Sequence, residues 1–489
     1  MKKTICVVLS IVFSLTCWLP VIAVNECNCG NTPLIFVTGM NSSPLYLDHA
    51  TEYEKTIFPP TANDIIGTIG KASVPLISNL VGKNWDGAFN SLVDCFDSMF
   101  EYIKCNPDGT SKHDIFSFGY DGSAASNDRT GVLSSTKALG AKAAEQIGDD
   151  HVYAFVYDWR LDPMEHAVEL NNFVQNVKDE TNHSKVSFIS ISMGGIVTAA
   201  YLHLFGSGDL ENLVMLSSAF FGVEMIGDIL TGRFDIDIDG VVRLICQNLK
   251  RMPLGNLFSC VLKTMNKVCV FDSLQCFLDD FVHSYGDRML EDVVKPLFSY
   301  MPSVWGLIPE KDYDEAKSLL LDENENAALI EKIDYYHYNV RLNVENIIND
   351  AISNGTNFYV ISSYNSQGVP IGEGNDLHSD TVIDTIYTSA GATCAPIGET
   401  LIENYVQAIG CGHNHLSPDR IIDASTCKWP EQTWFVKNMT HVGQTISGNN
   451  TEFYLWLAKS DEQCYIHSNS DFPQFLEFDY SSGNIIKSK

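Results

Sequence analysis

The stretch "FISISMGGIV", Phe188 to Val197, decides how the chain is read, because it ends an apolar run on a serine set among small residues. Ser190, Ser192, Gly194 and Gly195 interrupt what otherwise reads as a buried strand, and "GGIVTAAYLHLF" continues as a helix stopped at Gly206. A strand, then S-x-S-x-G, then a helix is the arrangement of a nucleophile elbow. The turn strains its central residue, so the residues two positions either side must be small, as Ser190 and Gly194 are. That strain would lift the Ser192 hydroxyl to the start of the helix, where free N–H groups and the helix dipole favour negative charge.

Working outward, the same rhythm repeats. "PLIFVTGM" (Pro33 to Met40) is a short β-rich run ending at Gly39, and "HVYAFVYDW" (His151 to Trp159) is a second. Met164, Ala167, Val168, Leu170, Phe173, Val174 and Val177 then follow helical spacing before "KVSFISIS" returns to strand, and "NLVMLSSAFFG" (Asn212 to Gly222) is strand again. Short apolar runs separated by amphipathic helices predict an α/β fold with a mostly parallel central sheet and helices on both faces, and the elbow at Ser192 makes the α/β-hydrolase type the expected one. The hydrolase core is expected over 24–56, 111–222 and 344–489. Two regions break the rhythm and read as insertions over one end of the sheet. Residues 57–110 form a lid or membrane-contact element, and residues 223–343 a helical cap.

Composition bounds the function. With 489 residues, 45% of them hydrophobic, the chain can bury one large core or two modest ones. Its 61 acidic against 31 basic residues leave a net charge of −30, which repels nucleic acid and anionic membrane surfaces, so lipid contact has to be hydrophobic. Lys2 and Lys3, the apolar run Ile5 to Leu19 and the small residues near Ala23 predict a signal peptide over 1–23, and with it a secreted or lysosomal (endomembrane-lumen) product. Fourteen cysteines in an exported chain favour disulfides, Cys95 with Cys105 being the expected local bridge. Sequons at Asn41, Asn182, Asn354, Asn438 and Asn449 are compatible with glycosylation.

The chemistry expected of this pattern is acyl transfer to Ser192, with His441 at the end of the strand "TWFVKNMTH" as base and the backbone N–H groups of Met40 and Met193 as oxyanion hole. No cofactor and no metal site is expected. His413 and His415 with Asp419 read as a polar surface loop, and Cys27 with Cys29 as structural.

"PLIFVTGMNSSPL", "YDWRLDP", "ISISMGGIV" and "NLVMLSSAFFGVEMIGDIL" resemble the consecutive landmarks of the lecithin:cholesterol acyltransferase and lysosomal phospholipase A2 family of α/β-hydrolases. The resemblance covers Thr32 to about Ile229 and implies a lipid acyl-ester hydrolase or transacylase acting on phospholipid at a membrane or lipoprotein surface. Ile191 and Met40 depart from the family pattern, as does the stretch around Ala219 and Phe220. For the triad acid two texts compete. "SPDRIIDASTC" carries Asp419, followed by Ser425 and Cys427 much as in the family, whereas "SDTVIDTIYTS" carries Asp380 soon after the strand "NFYVISSY". Closeness in the chain to His441 favours Asp419 over Asp380, with Asp423 a third candidate and Asp384 read as a turn or capping residue. The rival readings are a general carboxylesterase or triacylglycerol lipase, and a hydrolase-fold binding protein without catalysis.

Overall fold

The apolar runs around Ser192 become neighbouring strands of one sheet. The computed structural model describes residue 27 and residues 29–117, 137–249, 272–445 and 448–488; the expected signal peptide lies outside them. Eight strands form the main sheet: β1 (Leu34–Val37), β2 (Val152–Phe155), β3 (Val186–Ile191), β4 (Leu210–Leu216), β5 (Asn357–Tyr364), β6 (Thr433–Lys437), β7 (Phe475–Asp479) and β8 (Asn484–Lys487). Their order is β2-β1-β3-β4-β5-β6-β7-β8, and every pairing is parallel except the closing β7–β8 hairpin. The fold is therefore α/β with a large, mostly parallel sheet.

Strand periodicity divides the core into two layers. Ile35, Val37, Phe188, Leu213 and Val360 face the helices Pro163–Thr181 and Gly194–Phe205. Leu34, Phe36, Ile189, Ile191, Val214 and Ile361 face Lys137–Ile147 and Asn449–Ala458. Burial on both faces explains why these strands read as continuous apolar runs rather than as alternating ones. The helix Pro163–Thr181 starts where proline fits the first turn and the Asp162 carboxylate accepts from the Met164 N–H; it stops at Asn182 in the left-handed region, φ 54°.

The region 57–110 carries the helices Ala62–Val81 and Trp85–Phe100, packed on each other. Asn84 caps the second by accepting from the Gly87 N–H. A separate sheet of Leu45–Leu47, Lys55–Phe58 and Ile115–Ser117 lies at its foot. No disulfide forms among the described cysteines. The expected Cys95–Cys105 bridge is corrected accordingly: Cys95 lies on the helix face toward Gly67, Thr68 and Pro75. Cys105 is buried near Arg160, and that burial pushes its thiol up to about 12.

The region 223–343 is not all cover. Val304, Trp305, Tyr313, Ile333 and Tyr336 share one core with the sheet, the Tyr336 hydroxyl donates to the Ile196 carbonyl at 3.3 Å, and buried Arg341 donates to the Gly306 and Phe220 carbonyls. Among the described residues no helix is long and apolar enough to cross a membrane.

Candidate active site

Ser192 stands one residue beyond β3 with φ 56°, the strained conformation that its neighbours' small size anticipates. Close approach explains two of the glycines. A Cβ on Gly194 would lie 2.2 Å from the Val37 carbonyl oxygen at the end of β1, and one on Gly39 would lie 2.8 Å from the Ser192 Cβ. The turn is locked by the Ser192 N–H donating to Leu216 O (3.3 Å) and by its carbonyl accepting from the N–H groups of Ala219 (2.9 Å) and Gly195 (3.1 Å). Ser190 supports it from below: its hydroxyl pairs with that of Thr198 at 2.7 Å, and its carbonyl accepts from the Ser218 hydroxyl at 2.5 Å.

Gly39 and Met40 follow β1 directly, so the close approach of Gly39 to Ser192 brings the Met40 amide to the same side of the sheet. No acceptor among the described residues takes the N–H of Met40 or of Met193. Two unspent amides beside one serine can receive an oxyanion. Behind them the Tyr157 hydroxyl donates to Thr38 O (3.0 Å), and the Thr38 hydroxyl donates to Phe155 O (2.9 Å), fixing the loop after β1 to the end of β2.

His441 follows β6, and its partner is Asp380. Nδ1 of His441 lies 2.6 Å from Asp380 Oδ2, and the His441 N–H donates to the Asp380 carbonyl at 2.5 Å. Asp380 is fully buried in a tight turn after β5. Its other oxygen accepts from the N–H groups of Val382 (3.0 Å) and Ile383 (2.8 Å). The expectation of Asp419 is corrected. That carboxylate is held by Lys437 Nζ (3.0 Å), the Ser417 hydroxyl (2.6 Å) and the Tyr364 hydroxyl (3.2 Å), a structural ion pair on the flank of β6. Asp423 is likewise occupied, accepting from Tyr405 and from the N–H groups of Ala408 and Ser425. Gln444, three residues past His441, donates to the hydroxyls of Ser217 and Ser363, tying the histidine loop to the end of β4, just before the Ala219 amide that holds Ser192.

Burial by itself would lower the pKa of the His441 imidazole. The charge and hydrogen bond of Asp380 outweigh it, and the net shift is upward. Asp384, which accepts from the Glu224 N–H at 3.1 Å, is pushed up to about 8 by its burial, with the charges of Glu224 and Asp380 adding to the effect. That shift favours the neutral form of Asp384 beside the Asp380 carboxylate.

Several supporting residues escaped the sequence reading. Tyr157 belongs to the quoted "YDWR", but nothing in the text points its hydroxyl at Thr38. The arginine of that motif turns out to be structural: fully buried Arg160 pairs with Asp158 at 2.5 Å and donates to Ile103 O (3.1 Å) and the Ser111 hydroxyl (2.9 Å), fastening the region 57–110 to the sheet.

No metal site is expected from the sequence; among the described residues the fold brings together two groups of side chains that could ligate an ion. Cys27, Cys29, His151 and His183 form the first, and Cys411, His413, His415 and Glu431 the second. In the second, His413 and His415 turn to Glu431 (2.8 and 3.2 Å) rather than to Asp419. Compared with models of known protein families the chain matches none, and curated proteins likewise give no match.

Proposed function

We propose that the chain is a serine-dependent lipid acyl-ester hydrolase or transacylase of the α/β-hydrolase class, exported from the cytosol. The observation that carries this reading is the combination of Ser192 at φ 56°, two unspent amides beside it and a His441–Asp380 pair on a loop tied to the same sheet end. In the proposed cycle Ser192 Oγ attacks the ester carbonyl carbon while His441 Nε2 takes the hydroxyl proton, and the N–H groups of Met40 and Met193 hold the oxyanion. Collapse breaks the ester C–O bond, the leaving alkoxide takes the proton back from His441, and an acyl-enzyme remains. Water, or an alcohol bound in its place, then attacks with His441 again as base, giving the free acid or a new ester.

Lipid as substrate is supported by the exposed apolar stripe on the helix Ala62–Val81, which suits a hydrophobic interface better than a strongly acidic chain suits an anionic one. Incubation with phosphatidylcholine liposomes and a lipophilic alcohol tests the proposal by product mass spectrometry. Lysophospholipid with free fatty acid, and an acylated alcohol besides, is the expected result, absent in Ser192→Ala. Failure to cleave phospholipid, neutral lipid or short esters would support the binding-protein reading.

A further inference from the structure

The four residues of the first metal-capable group come from three distant parts of the chain, yet one ligand atom from each lies within 4.8 Å of every other. Cys29 Sγ is 3.4 Å from His151 Nε2 and 3.4 Å from His183 Nε2. A tetrahedral zinc ion with Zn–S of about 2.3 Å and Zn–N of about 2.0–2.1 Å requires a sulfur–nitrogen edge of about 3.5 Å. The His151 ring is already turned for the task. Its Nδ1–H donates to Asp150 Oδ1 at 2.8 Å, which leaves the lone pair of Nε2 facing the sulfur, the carboxylate–histidine arrangement that fixes a metal-binding tautomer. Asn31 N–H points at Cys29 Sγ (3.4 Å), as amides do toward a thiolate. The Cys27 N–H donates to Asn182 O (2.8 Å), which brings the cysteine segment against the helix end that presents His183.

From this geometry we propose that Cys27, Cys29, His151 and His183 form a closed structural zinc site. On binding, the two thiols release their protons to solvent, and two thiolates, two neutral imidazoles and Zn²⁺ sum to zero charge. Four protein ligands leave no open position for substrate, so the ion is not catalytic. Its location agrees. Cys27 and Cys29 precede β1, His151 precedes β2 and His183 precedes β3, so the site clips together the leading ends of three adjacent strands. Ser192 stands at the opposite end of β3, roughly 20 Å away for a six-residue strand. The inference is independent of the ester chemistry.

The test uses the full chain purified in a non-thiol reductant. Metal content, cobalt spectroscopy and thiol alkylation with peptide mapping are measured for the wild type and for a Cys27→Ser/Cys29→Ser variant. We expect the variant to hold one zinc ion per chain fewer than wild type, a difference that leaves the Cys411 group uncounted. Zinc should shield Cys27 and Cys29 from alkylation, and cobalt should give tetrahedral visible bands with thiolate charge transfer. Chelation should lower the wild-type Tm by several degrees without changing the initial rate on a short soluble ester. Should the variant fail to fold, alkylation protection in the wild type decides alone. Equal zinc content in the two proteins, unprotected thiols in the presence of zinc, or Cys27 and Cys29 found in disulfides with no metal would each overturn the proposal.

Discussion

Ser192 is held at φ 56° because the sheet needs it there: Leu216, Ala219 and Gly195 grip its backbone, and Gly39 and Gly194 leave the room. At the same scale, the two aspartates have separable roles. The Asp380 carboxylate bonds to His441 and to the N–H groups of its own turn, whereas Asp419 serves Lys437, Ser417 and Tyr364. Asp380→Asn is expected to lower kcat on the order of 10³- to 10⁴-fold with the fold intact, because an amide neither fixes the imidazole tautomer nor stabilises the imidazolium. Asp419→Asn should instead cost about 1–3 kcal/mol of stability by leaving Lys437 half-buried without its partner, and should keep kcat. Turnover compared at equal folded fraction, together with urea melts, checks both; the reverse pattern would restore Asp419 as the acid. The raised pKa of His441 adds a pH prediction. Only the unprotonated imidazole accepts the Ser192 proton, so activity falls as pH drops through that pKa. The acid limb of kcat/KM should therefore inflect above the ordinary histidine value of 6.5. In Asp380→Asn the residual activity should inflect lower, since burial then acts unopposed. An inflection below 6.5 in the wild type would show that Asp380 does not govern the ring.

The elements explain what the sequence could and could not reveal. Strands read from "PLIFVTGM", "HVYAFVYDW", "KVSFISIS" and "NLVMLSSAFFG" all appear, since their apolar runs reflect burial on two faces. Closeness along the chain points to Asp419, whereas the aspartate that bonds His441 is Asp380. β5 and β6 are parallel neighbours with Tyr364 opposite Lys437, so loops leaving their carboxyl ends meet however long the excursion between them. Asp380 and His441 stand 61 positions apart and still bond. The proposed zinc ligands are illegible for the same reason: a C-x-C and two isolated histidines become a group only when β1, β2 and β3 are set side by side. The helix Ala62–Val81 adds an element-scale prediction. Val74, Ile77 and Val81 are 71%, 58% and 81% exposed and fall on one face at spacings of three and four. A Val74→Asp/Ile77→Asp variant should lose liposome binding in a flotation assay, with its Tm little changed because exposed sites contribute within about 0.5 kcal/mol. Its rate on a soluble ester should persist. Loss of stability and of both activities together would make the stripe core rather than contact surface.

Across the whole molecule the two ends of the sheet are proposed to divide the work: the proposed catalytic groups gather where the strands finish, and the proposed zinc clip lies where they begin. Ligands of open α/β sheets bind at the carboxyl ends of the strands, because there the loops can vary without disturbing the ladder. A net charge of −30 disfavours contact with polyanions, so the proposed contact with a lipid surface would be apolar. The central claim is that one serine among all those in the chain is activated. Labelling the intact protein with a fluorophosphonate and mapping the modified peptide measures this directly. The account predicts a single adduct on Ser192, lost in Ser192→Ala and strongly slowed in Asp380→Asn; an adduct on another serine, or none on folded protein, would contradict it.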